Sequence, residues 1–218
     1  MFTGIVEEIA VVRNITSRGT GMTICIKAPR IAGKISVGDS VAVNGVCLTA
    51  RVCDGTTFTA DIMAETLART TFYRLKSGHK LHLERACTPE TRLGGHILSG
   101  HIDTLGTIER IAHTDTGIHI LVSHNPAYSR YIADRASIAL DGVSLTVMHE
   151  DSGHFQVSLI PHTANTTLLA TRHRGAAVHL EFDQLAKYAQ KTQFISHASK
   201  DQAATKTLTI HGLIEQGY

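Results

Sequence analysis

The histidines and cysteines are the residues of this chain best suited to metal or redox chemistry, and their spacing argues against a metal site. The chain has 14 His and 4 Cys, and no two cysteines form a C-x-x-C pair. His96 and His101 lie five residues apart, a separation that matches neither face of a helix, so we expect no metal-binding pair. Cysteines that are not spaced as C-x-x-C pairs are usually reduced thiols of a cytosolic protein.

Three side chains are candidates for acid–base or nucleophilic catalysis, namely His101, Ser144 and Asp183. An imidazole can act as a general base, a hydroxyl as a nucleophile or hydrogen-bond donor, and a carboxylate can orient the imidazole. A histidine, a serine and an aspartate also occur together by chance in many sequences, and a small residue in a strand often serves only packing. Residue types alone leave the role of these three open.

These candidates lie where two copies of an internal repeat differ. Shifted by 97 positions, residues 40–84 match residues 137–181 at 14 of 45 positions, and a shift of 96 aligns residues 3–6 with 99–102. In these registers His101, Ser144 and Asp183 align with Ile5, Cys47 and Ala86. The repeat predicts two copies of one small domain whose sites differ in chemistry.

Each copy has the pattern of short β-strands separated by tight turns. Apolar residues alternate on both sides of Asn44-Gly45 and of Asp141-Gly142, which predicts a hairpin at each place. Several short strands at regular spacing favour a small closed barrel or a sandwich in each half. Short helices are predicted at two matching places and a longer one near the C-terminus: 64–72, 161–169 and 184–195.

The composition favours a packed globular protein and excludes some partners. Of the 218 residues, 43% are hydrophobic and 18% charged, the net charge is +2, and Trp is absent. This near-neutral balance provides no electrostatic surface for nucleic acid or an anionic membrane. The opening MFTGIVEEIA lacks the features of a signal peptide, and no stretch has the length and apolarity of a membrane helix. We expect a cytoplasmic protein with no nucleic-acid or membrane partner.

Six motifs, in order along the chain, resemble those of the riboflavin synthase family. They are MFTGIV, NGVCLT, GGHILSGHID, DGVSLT, LIPHT and EFD-x-LAKY. The resemblance covers about residues 1–195, and NGVCLT and DGVSLT are the two copies of one repeated motif.

The resemblance implies an all-β fold of two similar six-stranded closed β-barrels, produced by internal duplication, and a C-terminal α-helix. It places an N-terminal lumazine-binding barrel over 1–97, a C-terminal barrel with the start of the helix over 98–194, and a tail over 195–218. It also implies a homotrimer in which the N-terminal barrel of one subunit faces the C-terminal barrel of a neighbour. The resemblance also implies lumazine synthase as a further partner.

The implied activity is that of a transferase, riboflavin synthase, in the last step of riboflavin biosynthesis. Two molecules of 6,7-dimethyl-8-ribityllumazine dismutate by transfer of a four-carbon unit, giving riboflavin and 5-amino-6-(ribitylamino)uracil, with no metal or redox cofactor. One molecule loses a proton from its C7 methyl group, and the other accepts a nucleophile. Holding the two in reactive geometry is worth up to ~7–11 kcal/mol in well-oriented systems.

Carried onto this sequence, the resemblance places five polar residues near the chemistry: Ser40, Cys47, His101, Ser144 and Asp183. It places Phe2 beside the substrate ring, and assigns to a pocket in the N-terminal half Gly4, Ile5, Val6, Leu48, Thr49, Asp61, Ile62, Met63, Ala64, Glu65 and Thr66. It assigns to a pocket in the C-terminal half Gly100, Ile102, Arg135, Leu145, Thr146, Ser158, Leu159, Ile160, Pro161, His162 and Thr163. His96 also matches a family histidine, which we expect to shape the junction between the halves.

Three positions depart from the family pattern. Arg135 stands where many members have Lys, and because Arg does not give up its proton, its role there would be binding only. Thr104 stands where Gly is frequent. His162 replaces the Glu of some members and places a titratable group beside the second pocket.

Two alternatives belong to other functional classes. A non-catalytic lumazine- or flavin-binding protein, such as the luminescence antenna proteins built on the same duplicated fold, is expected to lose the polar residues of one half. Both halves keep theirs here, including Ser144 and Asp183, which favours the enzyme. A structural β protein without a ligand has only the generic strand pattern in its favour.

Overall fold

Two closed six-stranded antiparallel β-barrels make up most of the computed structural model, which describes residues 1–115 and 117–192. The choice between barrel and sandwich that the strand pattern left open is therefore resolved as barrels. The N-terminal barrel consists of β1 (Glu8–Arg18), β2 (Gly21–Lys27), β3 (Ser40–Val43), β4 (Val46–Cys53), β5 (Thr57–Ile62) and β6 (Lys80–Arg85). The C-terminal barrel consists of β7 (Thr104–Thr114), β8 (Gly117–Ser123), β9 (Ser137–Leu140), β10 (Val143–Asp151), β11 (His154–Leu159) and β12 (Ala177–Phe182).

The two barrels share one topology, as expected of a duplicated domain. Their strand orders are β1-β2-β5-β4-β3-β6 and β7-β8-β11-β10-β9-β12, each closed by pairing of the last strand with the first. Even the irregularities match, since the register shifts between Val12 and Asn14 and again between Ile108 and Arg110. Such bulges bend a strand sharply, which helps a small sheet to close on itself.

The predicted hairpins form at Asn44-Gly45 and Asp141-Gly142. All four residues have positive φ, between 43° and 81°, which is the conformation of the tight turns that join antiparallel strands. The turns also pack against each other, because a Cβ on Gly45 would lie 2.7 Å from the Gly142 nitrogen. Glycine is thus needed at the boundary between the barrels for close approach as well as for turn geometry.

The short helices are shorter than predicted and are interrupted at matching positions. Helix α1 (Ala64–Arg69) is followed by a 3₁₀ turn over Thr71–Arg74, and α2 (Pro161–Thr166) by one over Leu169–Thr171. Thr70 and Thr167 are extended between the two segments. The Thr70 hydroxyl donates to the Thr66 carbonyl at 2.7 Å, which completes the end of α1, so the side chain replaces the next helical hydrogen bond.

The C-terminal helix predicted over 184–195 is helical over residues 184–192. Positions 193–195 of that prediction, and the tail predicted over 195–218, lie outside the described residues. In the described part of the chain, no helix has the length and apolarity needed to cross a membrane.

Two buried histidines join the barrels. His82 on β6 contacts the Asp141 carbonyl through Nδ1 at 2.9 Å, and its Nε2 accepts the Leu168 N–H at 2.7 Å. Because Nε2 must accept that proton, Nδ1 carries the hydrogen and the ring is neutral. Burial lowers the pKa of His82, with the nearby Asp141 opposing the shift.

His179 on β12 makes the reciprocal contacts. Its Nδ1 lies 2.8 Å from the Asn44 carbonyl, and its Nε2 accepts the Thr71 N–H at 2.9 Å. Each histidine thus contacts, in the other half, the residues equivalent to those that its counterpart contacts. Such reciprocal contacts relate the two halves by an approximate twofold axis. This symmetry determines which residues meet at the site.

Candidate active site

The loop that precedes β1 crosses onto the C-terminal barrel. The Gly4 carbonyl accepts the Ser144 N–H at 2.8 Å. Val6, two residues further on, packs against the core of the C-terminal barrel. Residues 3–6 therefore border the barrel of the other half.

The loop that precedes β7 makes the equivalent crossing in the opposite direction. The Gly100 carbonyl accepts the Cys47 N–H at 2.8 Å, and Ile102 packs against the core of the N-terminal barrel. The sequence assigned Gly4–Val6 to the N-terminal pocket and Gly100–Ile102 to the C-terminal one, whereas the structure places each loop against the barrel of the other half. The repeat shows which residues are equivalent, but the approximate twofold exchanges the barrels that the equivalent loops contact.

Both crossing loops need glycine at their closest approach. Gly4 and Gly100 have φ of 78° and 81°, in the left-handed region. A Cβ at Gly4 would lie 2.5 Å from the Ser144 Cβ, and one at Gly100 would lie 2.6 Å from the Cys47 Cβ. Any side chain at either position would push the loop off the strand that it covers.

Two buried glutamates hold the crossing loops. Glu84 Oε1 accepts the Thr3 N–H and hydroxyl, both at 2.6 Å, and Oε2 accepts the Gly4 N–H at 3.0 Å. Glu181 accepts the Ser99 N–H and hydroxyl, both at 2.7 Å, and the Gly100 N–H at 3.1 Å.

These glutamates were absent from the predicted site because they are identical in the two halves. Most of the predicted catalytic residues lie at positions that differ between the halves, whereas the His-Leu-Glu motifs at 82–84 and 179–181 are alike. The identity of these motifs was itself the available indication, since the histidine of each joins the barrels and the glutamate of each holds a loop. Burial raises the pKa of Glu84, opposed by the hydrogen bonds from Thr3 and Gly4.

A histidine–serine pair joins the segment between the two barrels to β10 of the C-terminal barrel. His96 Nδ1 is 2.7 Å from the Ser144 Oγ. His96 is buried, and among the described residues its Nε2 has no hydrogen-bond partner. Burial lowers the pKa of His96, with the charge of Asp183 opposing the shift. We call Ser144, its hydrogen-bonded partner His96, and Asp183, whose charge acts on His96, the C-barrel cluster.

His101 lies apart from that hydrogen bond. It is exposed, it follows Gly100 on the loop that covers the N-terminal barrel, and its N–H donates to the Ser99 hydroxyl at 3.3 Å. The imidazole bonded to Ser144 is therefore His96, which lies outside the segments that the internal repeat matches. Comparison of the two copies could not identify it.

The matching surface of the N-terminal barrel is more apolar. Cys47 and Ala86 pack against the buried cluster of Phe2, Ala42, Leu98 and Ala139. A Cβ at Gly100 would lie 3.0 Å from the Phe2 ring, so this aromatic side chain lies directly beneath the second crossing loop. The two sites therefore present a thiol in apolar surroundings and a hydroxyl bonded to an imidazole.

A cleft of about 440 Å³ brings the first crossing loop together with α2. It is lined by Val6, Glu7, Glu8, Ile9, Arg30, His162, Asn165 and Thr166. Val6 and His162, which the sequence assigned to different pockets, therefore border the same opening.

Several predicted binding residues are paired with other side chains, lie in a turn or are buried in the barrel cores. The Asp61 carboxylate accepts from the Thr23 hydroxyl at 2.7 Å and from Arg51 at 2.9 Å, and mainly the Thr23 hydrogen bond lowers its pKa. Arg135 is exposed and adopts a φ of 65° in a turn. Four predicted residues have side chains buried in the barrel cores: Leu48, Ile62, Leu145 and Leu159.

The remaining predicted residues lie at the surface or rim of the same elements. Ser40 pairs with Thr49 across β3 and β4, and the Ser40 carbonyl accepts the Ala86 N–H at 3.1 Å. The others lie at the start of α1 or α2, on the strand before α2, or on the exposed face of β10: Met63, Ala64, Glu65, Thr66, Thr146, Ser158, Ile160, Pro161 and Thr163. In residues 1–115 and 117–192, no three His, Cys, Asp or Glu side chains are placed to hold a metal ion.

Comparison with known proteins identifies the same duplicated domain. A family model described as "Lumazine binding domain" matches residues 3–86 and 99–183. Riboflavin synthase of Actinobacillus pleuropneumoniae is 41% identical over the full length of both chains, and that of Bacillus subtilis 34%. Riboflavin synthase of Mycobacterium bovis is 40% identical over 88% of this chain and 97% of its own.

Solved structures show the same fold with ligands bound. The crystal structure of LumP complexed with riboflavin has a TM-score of 0.76 and 25% identity. The complex of LumP with 6,7-dimethyl-8-(1'-D-ribityl) lumazine has a TM-score of 0.75 and 24% identity. Both alignments cover 84% of this chain and 99% of the LumP chain.

Proposed function

The chain belongs to the riboflavin synthase family, and we propose that its two barrels hold the two substrate molecules of that reaction in different chemical roles. The activity is the dismutation of two molecules of 6,7-dimethyl-8-ribityllumazine to riboflavin and 5-amino-6-(ribitylamino)uracil. The substrates are identical, yet one must give a four-carbon unit and the other must accept it. Two identical pockets could not assign these roles.

The observation that supports the proposal is the chemical difference between matching positions of the two barrels. At the C-terminal barrel, Ser144 is hydrogen-bonded to His96 at 2.7 Å. At the N-terminal barrel the matching residue is Cys47, beside apolar side chains. One duplicated scaffold thus supplies two similar pockets with different polar groups, which is what a reaction between two copies of one molecule requires.

Proton transfer at the C-terminal barrel is assigned to the C-barrel cluster. A neutral imidazole next to a hydroxyl can withdraw its proton and make the oxygen a better nucleophile or acceptor. Because burial lowers the pKa of His96, the ring is neutral near pH 7 and can take up this proton. The charge of Asp183 stabilises the imidazolium that results.

The N-terminal barrel uses Cys47 and the crossing loop that carries His101. His101 is exposed on that loop and can therefore contact the ring of a substrate molecule bound at the N-terminal barrel. The crossing loops also present backbone N–H and C=O groups beside hydroxyls, which suit the several hydroxyls of a ribityl chain.

A complete reaction site requires the N-terminal barrel of one subunit and the C-terminal barrel of another, and a homotrimer satisfies this requirement for every barrel. Family membership supports this assembly, as well as association with lumazine synthase and a cytoplasmic location. Sedimentation equilibrium of the full chain, alone and with lumazine synthase, tests both associations.

The activity is tested by incubating the purified full chain with the lumazine substrate alone and following flavin fluorescence. We expect one riboflavin for every two lumazines consumed. Ser144→Ala should lower the rate by about 100-fold or more, the usual contribution of positioned acid–base groups. The matched control is Ser123→Ala, which removes a partly buried hydroxyl bonded to Glu109 and should leave the rate unchanged.

Two outcomes would contradict the proposal. Tight lumazine binding without riboflavin formation would indicate a binding protein rather than an enzyme. Full activity in both Ser144→Ala and His101→Asn would show that neither residue takes part in the chemistry.

A further inference from the structure

The two glutamates that hold the crossing loops are both buried, and both carboxylate oxygens of each accept hydrogen bonds. Glu84 is 6% exposed and Glu181 is 1% exposed, and each accepts three hydrogen bonds from the residue pair at the tip of its loop. Hydrogen bonds to a charged acceptor are among the stronger ones in proteins. The carboxylates therefore determine where the loop backbone lies.

Each glutamate belongs to one barrel, but the loop that it holds covers the other. Glu84 is on β6 of the N-terminal barrel, and its loop places the Gly4 carbonyl on Ser144. Glu181 is on β12 of the C-terminal barrel, and its loop places the Gly100 carbonyl on Cys47.

Resting on the proposed function, we propose that Glu84 and Glu181 are positioning residues that act crosswise. Glu84 sets the geometry of the substrate pocket at Ser144 on the C-terminal barrel, and Glu181 sets that of the pocket at Cys47 on the N-terminal barrel. Neither carboxylate has to touch a substrate, because each acts through the backbone of its loop.

A glutamine in place of either glutamate separates this role from simple packing. Glutamine has nearly the same shape but offers one oxygen, and its NH₂ group would face a backbone N–H that now needs an acceptor. Glu84→Gln therefore turns the contact with Thr3 or Gly4 into one between two donors. The barrels keep their volume, whereas the loop loses its anchor.

The experiment measures riboflavin binding by the full-length protein in two ways. One reports total binding, and the other reports occupancy of the N-terminal pocket alone. Total binding follows from quenching of flavin fluorescence. Occupancy of the N-terminal pocket follows from protection of Cys47 against iodoacetamide, quantified by mass spectrometry. Tryptic cleavage after Lys34 and Arg51 gives a peptide in which Cys47 is the sole cysteine.

Glu84→Gln should weaken one of the two riboflavin sites at least tenfold while protection of Cys47 stays as in the wild type. Glu181→Gln should raise the riboflavin concentration needed to protect Cys47 at least tenfold and leave the other site intact. Glu109→Gln is the matched control, because its carboxylate accepts a hydrogen bond from Ser123 on the barrel wall. It should change neither readout.

Should a glutamine variant fail to fold, Thr3→Val and Ser99→Ala remove one hydroxyl donor from each anchor and should give smaller shifts with the same crossed pattern. The proposal is overturned if either Gln variant binds riboflavin like the wild type, if both pockets weaken equally, or if Glu84→Gln affects Cys47 protection. These results leave the conversion of lumazine to riboflavin by the wild type untouched. Failure of the wild type to bind riboflavin would overturn this proposal and the proposed function together.

Discussion

Replacing His82 should weaken the connection between the barrels by an amount that follows from its two hydrogen bonds. The ring is 2% exposed, and both nitrogens are paired, one with the Asp141 carbonyl and one with the Leu168 N–H. A buried polar group left without a partner costs about 1–3 kcal/mol. His82→Ala leaves two such groups without a partner and removes a ring from the interface. We therefore expect the free energy of unfolding to fall by about 4 kcal/mol.

His82→Asn divides this loss into its parts. The Asn side-chain nitrogen can take the place of Nδ1 and donate to the Asp141 carbonyl. Because nothing replaces Nε2, only the Leu168 N–H is left without a partner. The expected loss is about 2 kcal/mol, half that of His82→Ala. His179→Asn should behave alike, because its ring makes the equivalent contacts with Asn44 and Thr71.

The assay is the free energy of unfolding in urea, measured at pH 8, with His154→Asn as the control. His154 is exposed, so its replacement should change stability by no more than about 0.5 kcal/mol. If His82→Asn were as stable as this control, the Leu168 N–H would have another partner, and the assignment of the ring as a connection would be refuted. If His82→Asn lost as much as His82→Ala, the Asp141 contact would contribute nothing.

Two further predictions concern the pH dependence of stability and the second crossing loop. Because burial lowers the pKa of His82 below 6.5, the unfolded chain takes up a proton first as pH falls. The wild type should therefore lose stability below pH 6.5 by up to about 1.4 kcal/mol per pH unit relative to His82→Asn; equal pH profiles in urea unfolding would contradict this. Gly100→Ala should abolish riboflavin formation and weaken flavin protection of Cys47, since its Cβ would lie 2.6 Å from the Cys47 Cβ; normal turnover would show that the loop can move aside.

The polar difference between the halves was accessible from the sequence because it appears at aligned positions. Cys47 and Ser144 occupy matching places in two copies of one motif, and the structure puts each beneath a crossing loop. His96 was accessible only as a family match. It lies outside the matched segments of the repeat, and its contact with Ser144 joins residues 48 positions apart.

The glutamates show the opposite case. Glu84 and Glu181 are identical in the two halves, and an identity within a duplication is equally compatible with packing and with a role at the site. Their hydrogen bonds to Thr3 and Ser99 span 81 and 82 residues. No local pattern reports a contact over that separation.

The duplication, the Asn-Gly and Asp-Gly hairpins and the family could be predicted from the sequence, because each depends on residue identity and on the local order of residues. Which barrel each crossing loop contacts became apparent from the folded arrangement alone. The loops at Gly4 and Gly100 were assigned to their own halves, and both lie on the other. The reason is the approximate twofold between the barrels, which exchanges the partners of equivalent residues and leaves no trace in an alignment of one half with the other.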